Sequence, residues 1–201
     1  MSLRTTFAAL SFAALAGSAA AQSYSLTNLT PPGYLEGFFY GAGGNQAVGS
    51  GSFPVTPGDP NFRFVHAYLW DQSTHTLTDL HPDPTWSATY ATGAANGQQV
   101  GYGFTSGPNI GLIWTGTAAS FITLDTPGTE STVAQATDGT TQVGSAITPA
   151  SLGSSRAYVW QGSAASGVEI HPAGLESSVA YSIRDGAIVG TGEDFDFFRL
   201  G

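Results

Sequence analysis

The apolar positions of this chain fall into three series that share one period. The first consists of the triplets Ala47-Val48-Gly49, Gln99-Val100-Gly101, Gln142-Val143-Gly144 and Ile188-Val189-Gly190, whose valines stand 52, 43 and 46 residues apart. The second is Leu29, Leu80, Leu124 and Ile170, each followed within three residues by Pro31, Pro82, Pro127 or Pro172. The third places Trp at the end of Ala67-Tyr68-Leu69-Trp70, Gly111-Leu112-Ile113-Trp114 and Ala157-Tyr158-Val159-Trp160, at spacings of 44 and 46. Three to five residues before each valine sits a tight-turn pair: Gly43-Gly44, Asn96-Gly97, Asp138-Gly139 or Asp185-Gly186. Such pairs supply the positive φ angles of a type I′ turn, whose twist matches two antiparallel strands.

Each period therefore predicts four short strands. In the second unit, Tyr90–Ala95 leads through Asn96-Gly97 into Gln98–Gly103, a loop carries the chain to Gly111–Thr115, and a short hairpin ends at Phe121–Asp125. Four strands in 43 to 46 residues is the size of a propeller blade. The Ala- and Gly-rich strand suits the crowded innermost place, and the Trp strand suits the widening space between blade faces. The Pro-rich insertion from Pro54 to Pro60 accounts for the longer first spacing.

The ends of the chain predict closure. Tyr24–Leu29 matches the fourth strand of a unit, and Asp196–Gly201 matches the third, with Leu200 where Trp stands elsewhere. The expected architecture is an all-β, four-bladed β-propeller of four-stranded antiparallel blades, residues 22–201 forming one domain closed by pairing of the N- and C-terminal strands. Closure removes exposed sheet edges that invite aggregation. The alternative is an open array, or a fragment of a longer propeller.

Residues 1–21 read differently. Arg4 is the only charge, an apolar run extends from Phe7 to Leu15, and Ala19-Ala20-Ala21 precedes Gln22. These are the three regions of a secretory signal peptide, and the run is too short to span a bilayer. Cleavage after Ala21 removes Arg4 and takes the net charge from -9 to -10. The expected product is extracellular or periplasmic, released rather than inserted in a membrane, and a monomer.

Composition narrows the chemistry. Only 9% of the 201 residues are charged, there is no Lys, and the net charge of -9 leaves no basic stripe to meet nucleic acid. With no Cys, disulfides, thiolate metal sites and Cys nucleophiles are excluded. The four His (His66, His75, His81 and His171) form no His-Glu-x-x-His pair, and no Gly-x-Ser-x-Gly elbow, phosphate loop or calcium loop occurs. His81 and His171 occupy the same place in units two and four, either as a rim binding pair or as a turn residue copied by the repeat. The acidic run Glu193-Asp194-Phe195-Asp196 lacks the ligand count of a Ca²⁺ site and reads as a solvated loop.

The recurring aromatic-aliphatic-Trp strand, the Thr-Asp-Leu-like strand and Asn96-Gly97-Gln98-Gln99-Val100-Gly101 together resemble the bacterial extracellular HAF repeat, with His66-Ala67-Tyr68-Leu69-Trp70 close to its naming residues. The resemblance covers residues 24–201, although Gly111 and Ala157 lack a preceding His. It implies a secreted, propeller-like repeat protein and supplies no catalytic residues.

One constellation stands out. The segments after Leu29, Leu80, Leu124 and Ile170 are expected on one face at the channel mouth, carrying Tyr34 and Glu36, Asp83 and Trp86, Glu130, and His171 with Glu176. Converging carboxylates focus a negative potential and favour a cation, and carboxylates with aromatic platforms suit a polysaccharide. The plainer reading is four solvated loops whose acids keep a Lys-free chain soluble. The expected function is a secreted, non-enzymatic binding or surface-interaction module, with Tyr34, Glu36, Trp86, Glu130, His171 and Glu176 as its ligand-binding residues and a polysaccharide, a cation or a cell-surface group as ligand. The alternatives are a carbohydrate-active enzyme using those carboxylates, or an inactive piece of a longer repeat protein. No catalytic residue, metal site or cofactor is assigned.

Overall fold

The computed structural model describes residues 28–30, 35–54 and 63–194. Within them the chain is all-β, with fourteen strands arranged as three four-stranded meanders and a hairpin. Unit one holds β1 (Glu36–Gly43), β2 (Gln46–Pro54), β3 (Arg63–Asp71) and β4 (Thr76–Asp79). Unit two holds β5 (Ala88–Ala95), β6 (Gln98–Phe104), β7 (Ile110–Trp114) and β8 (Ile122–Thr123). Unit three holds β9 (Ser131–Thr137), β10 (Gln142–Ile147), β11 (Arg156–Trp160) and β12 (Val168–Glu169), and the last unit holds β13 (Ser177–Arg184) and β14 (Ala187–Glu193). Every strand pairs antiparallel with the next in its unit, and a single parallel bridge, Val65 with Ala88, joins β3 to β5.

The extra length of unit one lies in its second hairpin. There β2 and β3 pair over nine positions, from Gln46↔Asp71 to Pro54↔Arg63, against five between β6 and β7. The turns divide. Asn96-Gly97 and Asp185-Gly186 have positive φ at both residues, as a type I′ turn needs. In unit one the turn is Gly44-Asn45 rather than Gly43-Gly44, because β1 and β2 pair as far as Gly43↔Gln46. In unit three Asp138 closes a longer loop, its carboxylate accepting the N–H groups of Thr140 (2.9 Å) and Thr141 (2.7 Å).

Sheets pack face to face through three apolar layers. Val48, Ala67, Leu69 and Leu80 of unit one bury against Ala91, Ala94, Leu112 and Trp114 of unit two. Val100, Ile113 and Leu124 bury against Ala134, Ala146, Tyr158 and Trp160, and Val143 and Ala157 against Ala180 and Ile183. In each layer the motif valine of one unit shares the cluster with an Ala from the first strand of the next. Polar pins recur beside them: the N–H groups of Ala67, Gly111 and Ala157 donate to the hydroxyls of Thr89 (3.0 Å), Thr132 (2.8 Å) and Ser178 (2.9 Å) in the following unit. The glutamines before the valines act as clamps. Gln99 accepts from Gly116 N–H and donates to Gln46, while Gln142 accepts from Gly162 N–H and donates to Gln98. Both amides are fully buried, so satisfying them in this way avoids a desolvation cost of about 1–3 kcal/mol each.

The expected closed, four-bladed ring is not what the described residues show. The sheets among them are separate and open, the last unit being a two-stranded hairpin. Asn28 and Leu29 form no strand, while the remainder of the expected Tyr24–Leu29 strand, the Asp196–Gly201 strand and the leader 1–21 lie outside the described residues. Two faces are consequently bare. On unit one Phe38 (52% exposed), Phe39 and Tyr40 reach solvent, and on the last unit all of β14 does, with Val189 at 62%.

Candidate functional site

The first strand of every unit, β1, β5, β9 and β13, breaks register at one repeat position. The ladder slips between Phe39 and Gly41, Ala91 and Gly93, Ala134 and Ala136, and Ala180 and Ser182. The residue left over is Tyr40, Thr92, Gln135 or Tyr181, each eight positions before its motif valine. A β-bulge re-aims the extra side chain out of the alternation of its strand. Here the glycine of the Val-Gly pair makes room for it. A Cβ on Gly49, Gly101, Gly144 or Gly190 would fall within 3.0 Å of the carbonyl oxygen of Phe38, Tyr90, Val133 or Val179 on the bulged strand.

The four bulged residues share one cavity of about 420 Å³, lined by Tyr40, Tyr90, Thr92, Tyr102, Gln135 and Tyr181. The inner strands approach closely around it: a Cβ on Gly93 would meet Ala136 Cα and the Gln135 carbonyl at 3.0 Å. Tyr90 and Tyr102 stack with centroids 4.9 Å apart. Ser50 Oγ donates to the Tyr40 hydroxyl at 3.4 Å, and Thr92 Oγ1 donates to the Ala134 carbonyl at 2.8 Å. Burial pushes the Tyr90 phenol above its ordinary range, Tyr40 adding to the effect, and burial with Tyr90 and Tyr40 does the same for Tyr102. The cavity presents phenols, a hydroxyl and an amide. The size is that of a small-molecule pocket.

Of the residues expected at the channel mouth, Glu36, Trp86, Glu130, His171 and Glu176 are not among those lining this cavity. Tyr34 is outside the described residues. Glu36 begins β1 and accepts from Ser52 Oγ at 3.0 Å. Trp86 is 6% exposed and packs edge-on against Phe121, so it belongs to the first apolar layer and offers no platform to a sugar. Glu130 and Glu176 stand just before β9 and β13, their N–H groups bound to the Ile147 and Glu193 carbonyls. Asp83 receives bonds from the Thr85 hydroxyl and N–H, which hold its carboxyl below the usual range. Among the described residues no three acid or imidazole side chains are placed to hold a metal ion.

His81 and His171 are pins of the fold. Their Nδ1 atoms lie 3.0 and 2.6 Å from the Thr89 and Ser178 hydroxyls that accept the inter-unit N–H groups. His171 Nε2 donates to the Leu175 carbonyl at 3.0 Å. The His81 ring also stacks on His66 at 3.7 Å, with His66 Nδ1 2.7 Å from Asp79. Burial first, then the neighbouring His66, holds His81 below the usual imidazole range.

A second cavity, of about 300 Å³, runs along the last unit between Ile170, Leu175, Ala180, Ile188 and Gly192. Comparison with protein-family models, with curated proteins and with solved structures gives no match for this chain.

Proposed function

We propose that this chain is a secreted, non-enzymatic binding module whose terminal segments close a four-unit ring around the axial cavity. The observation that carries the reading is the convergence of four equivalent bulges: Tyr40 of the first inner strand and Tyr181 of the last line the same space. An open array would send them apart.

Quasi-symmetry suggests the partners of the two open faces. In unit three, Tyr158 and Trp160 of the third strand pack with Leu124, Ala134 and Ala146 of the preceding interface. The equivalent residues of the last unit are Phe198 and Leu200. The groove beside Ile170, Ala180 and Gly192 occupies the equivalent place, and it takes them as occupants. The segment that precedes Asn28, from Tyr24 to Thr27, then pairs with that strand as its fourth. The three observed layers join Val48 to Ala91, Val100 to Ala134 and Val143 to Ala180. A fourth joins the exposed Val189 to the exposed Phe39. Gly37 stands where Thr89, Thr132 and Ser178 supply hydroxyl pins, so this last interface rests on side-chain packing.

A binding role follows from what faces the axis. Among the described residues no carboxylate lines the cavity, which disfavours acid–base hydrolysis there. The affinity sites are aromatic faces and hydroxyls. Affinity electrophoresis of the mature chain in gels of soluble polysaccharides, run beside a reducing-end assay, tests the reading. Retardation without release of reducing ends is the expected result. Release of reducing ends from any member of the panel contradicts it in favour of an enzyme.

A further inference from the structure

Resting on the reading above, we infer that the axial cavity selects an uncharged saccharide, seated against Tyr40 and Tyr181 and hydrogen-bonded by neutral groups of all four inner strands. The side chains lining it carry neither acid nor base: four phenols, one hydroxyl and one carboxamide. A buried charged ligand with no partner of opposite sign would lose its hydration without recompense. The negative chain as a whole repels an anionic glycan, and among the described residues no carboxylate in the cavity compensates an ammonium sugar.

Positive features point the same way. A pyranose presents apolar C–H faces and a rim of hydroxyls that both donate and accept. Tyr and Gln offer the same two-way bonding, and phenol rings offer flat apolar faces. The raised phenols of Tyr90 and Tyr102 keep their protons at neutral pH, so they remain donors and present no phenolate to a cation. Tyr40 and Tyr181 are 55% and 51% exposed, which leaves ring surface uncovered for stacking. Tyr90 and Tyr102 cover each other and form a wall. The bulges make the recognition multivalent in one small space: a single ligand touches every unit.

The test compares neutral gluco-, manno- and galacto-oligosaccharides with uronate oligosaccharides and glucosamine oligosaccharides by calorimetry at low and moderate salt. It uses the mature chain and its Tyr40→Ala, Tyr181→Ala, Tyr181→Phe and Gln135→Leu variants. The expected result is binding of a neutral oligosaccharide with little salt dependence, weakened at least about tenfold by either Tyr→Ala change. Tyr181→Phe retains stacking and loses less. These side chains protrude from bulges rather than fill a core, and unchanged melting temperatures confirm that the variants are folded. Tighter binding of uronate or glucosamine oligomers, still lost in the Tyr variants, overturns the neutral class and leaves the axial site standing. Binding of a neutral sugar that ignores all four substitutions overturns the axial site itself. Absence of binding to any of the three classes overturns both.

Discussion

Valine in place of Gly101 is expected to cost about 3 kcal/mol or more, read as a fall in melting temperature of about 6–12 °C for a chain of this size. The reason lies in the second strand of every unit. Gly101 stands opposite Ala91, immediately before the register slip that throws Thr92 out of the ladder. A Cβ there would overlap the Tyr90 carbonyl and press on Ala91 Cα, and these are backbone atoms with no rotamer to yield. The substitution can be accommodated only by flattening the bulge, which withdraws Thr92 from the axis. Loss of stability and loss of ligand affinity are therefore expected together. Gly144→Val should behave alike, since the same geometry recurs against Val133 and Ala134. Gly107 is the control: a Cβ there meets nothing within 4 Å and its φ lies outside the left-handed region, so Gly107→Ala should stay within about 0.5 kcal/mol of the parent.

Trp160→Ala is the second large effect, at about 3–5 kcal/mol by chemical denaturation. Trp160 is fully buried between units two and three, among Val100, Ile113 and Leu124 on one side and Ala146 and Tyr158 on the other. Its indole N–H also donates to Thr126 Oγ1 at 2.8 Å, tying the loop that leads into β9. Trp114 fills the equivalent place one layer earlier, fully buried, but its N–H has no partner among the described residues. The two phenylalanine variants should therefore separate. Trp160→Phe loses packing and a hydrogen bond, whereas Trp114→Phe loses packing and relieves an unsatisfied donor, so it should cost less. Each unit buries its faces only against neighbours, and both changes should weaken the contact between units as well as the unit that bears them.

Much of the repeat was legible because local chemistry demands particular residues at particular places. Asn96-Gly97 requires positive φ at both positions, Val100-Gly101 needs a buried methyl pair followed by bare backbone, and Trp114 needs the largest space between faces. Those demands placed the strands of unit two within a residue or two of their observed limits. The site was harder. The bulged position tolerates Tyr, Thr and Gln because its side chain leaves the packed layer, so no single residue type marks it in all four units. The available clue was indirect: a position at constant distance from the motif valine, followed by Gly41, Gly93, Ala136 and Ser182. Carboxylates and Trp86 drew attention to the connecting loops instead. Sequence could not tell whether Trp86 stacks on a ligand or packs in a core, because an indole serves both, and only its place against Phe121 decides. His81 and His171 posed the same ambiguity, resolved by hydroxyls seven or eight residues further along the chain.

The account stands on the ring. A chain with no cysteine allows a direct probe of its closure: Phe39→Cys with Val189→Cys, treated with a short bifunctional maleimide at low protein concentration. These positions are the fourth counterparts of Ala91 with Val48, Ala134 with Val100 and Ala180 with Val143. The account predicts an intramolecular cross-link in monomeric protein, recovered as one peptide pair by mass spectrometry and lost when residues 195–201 are deleted. Cross-linked dimers alone, or monomers carrying two singly modified cysteines, would contradict it and make the four units an open array.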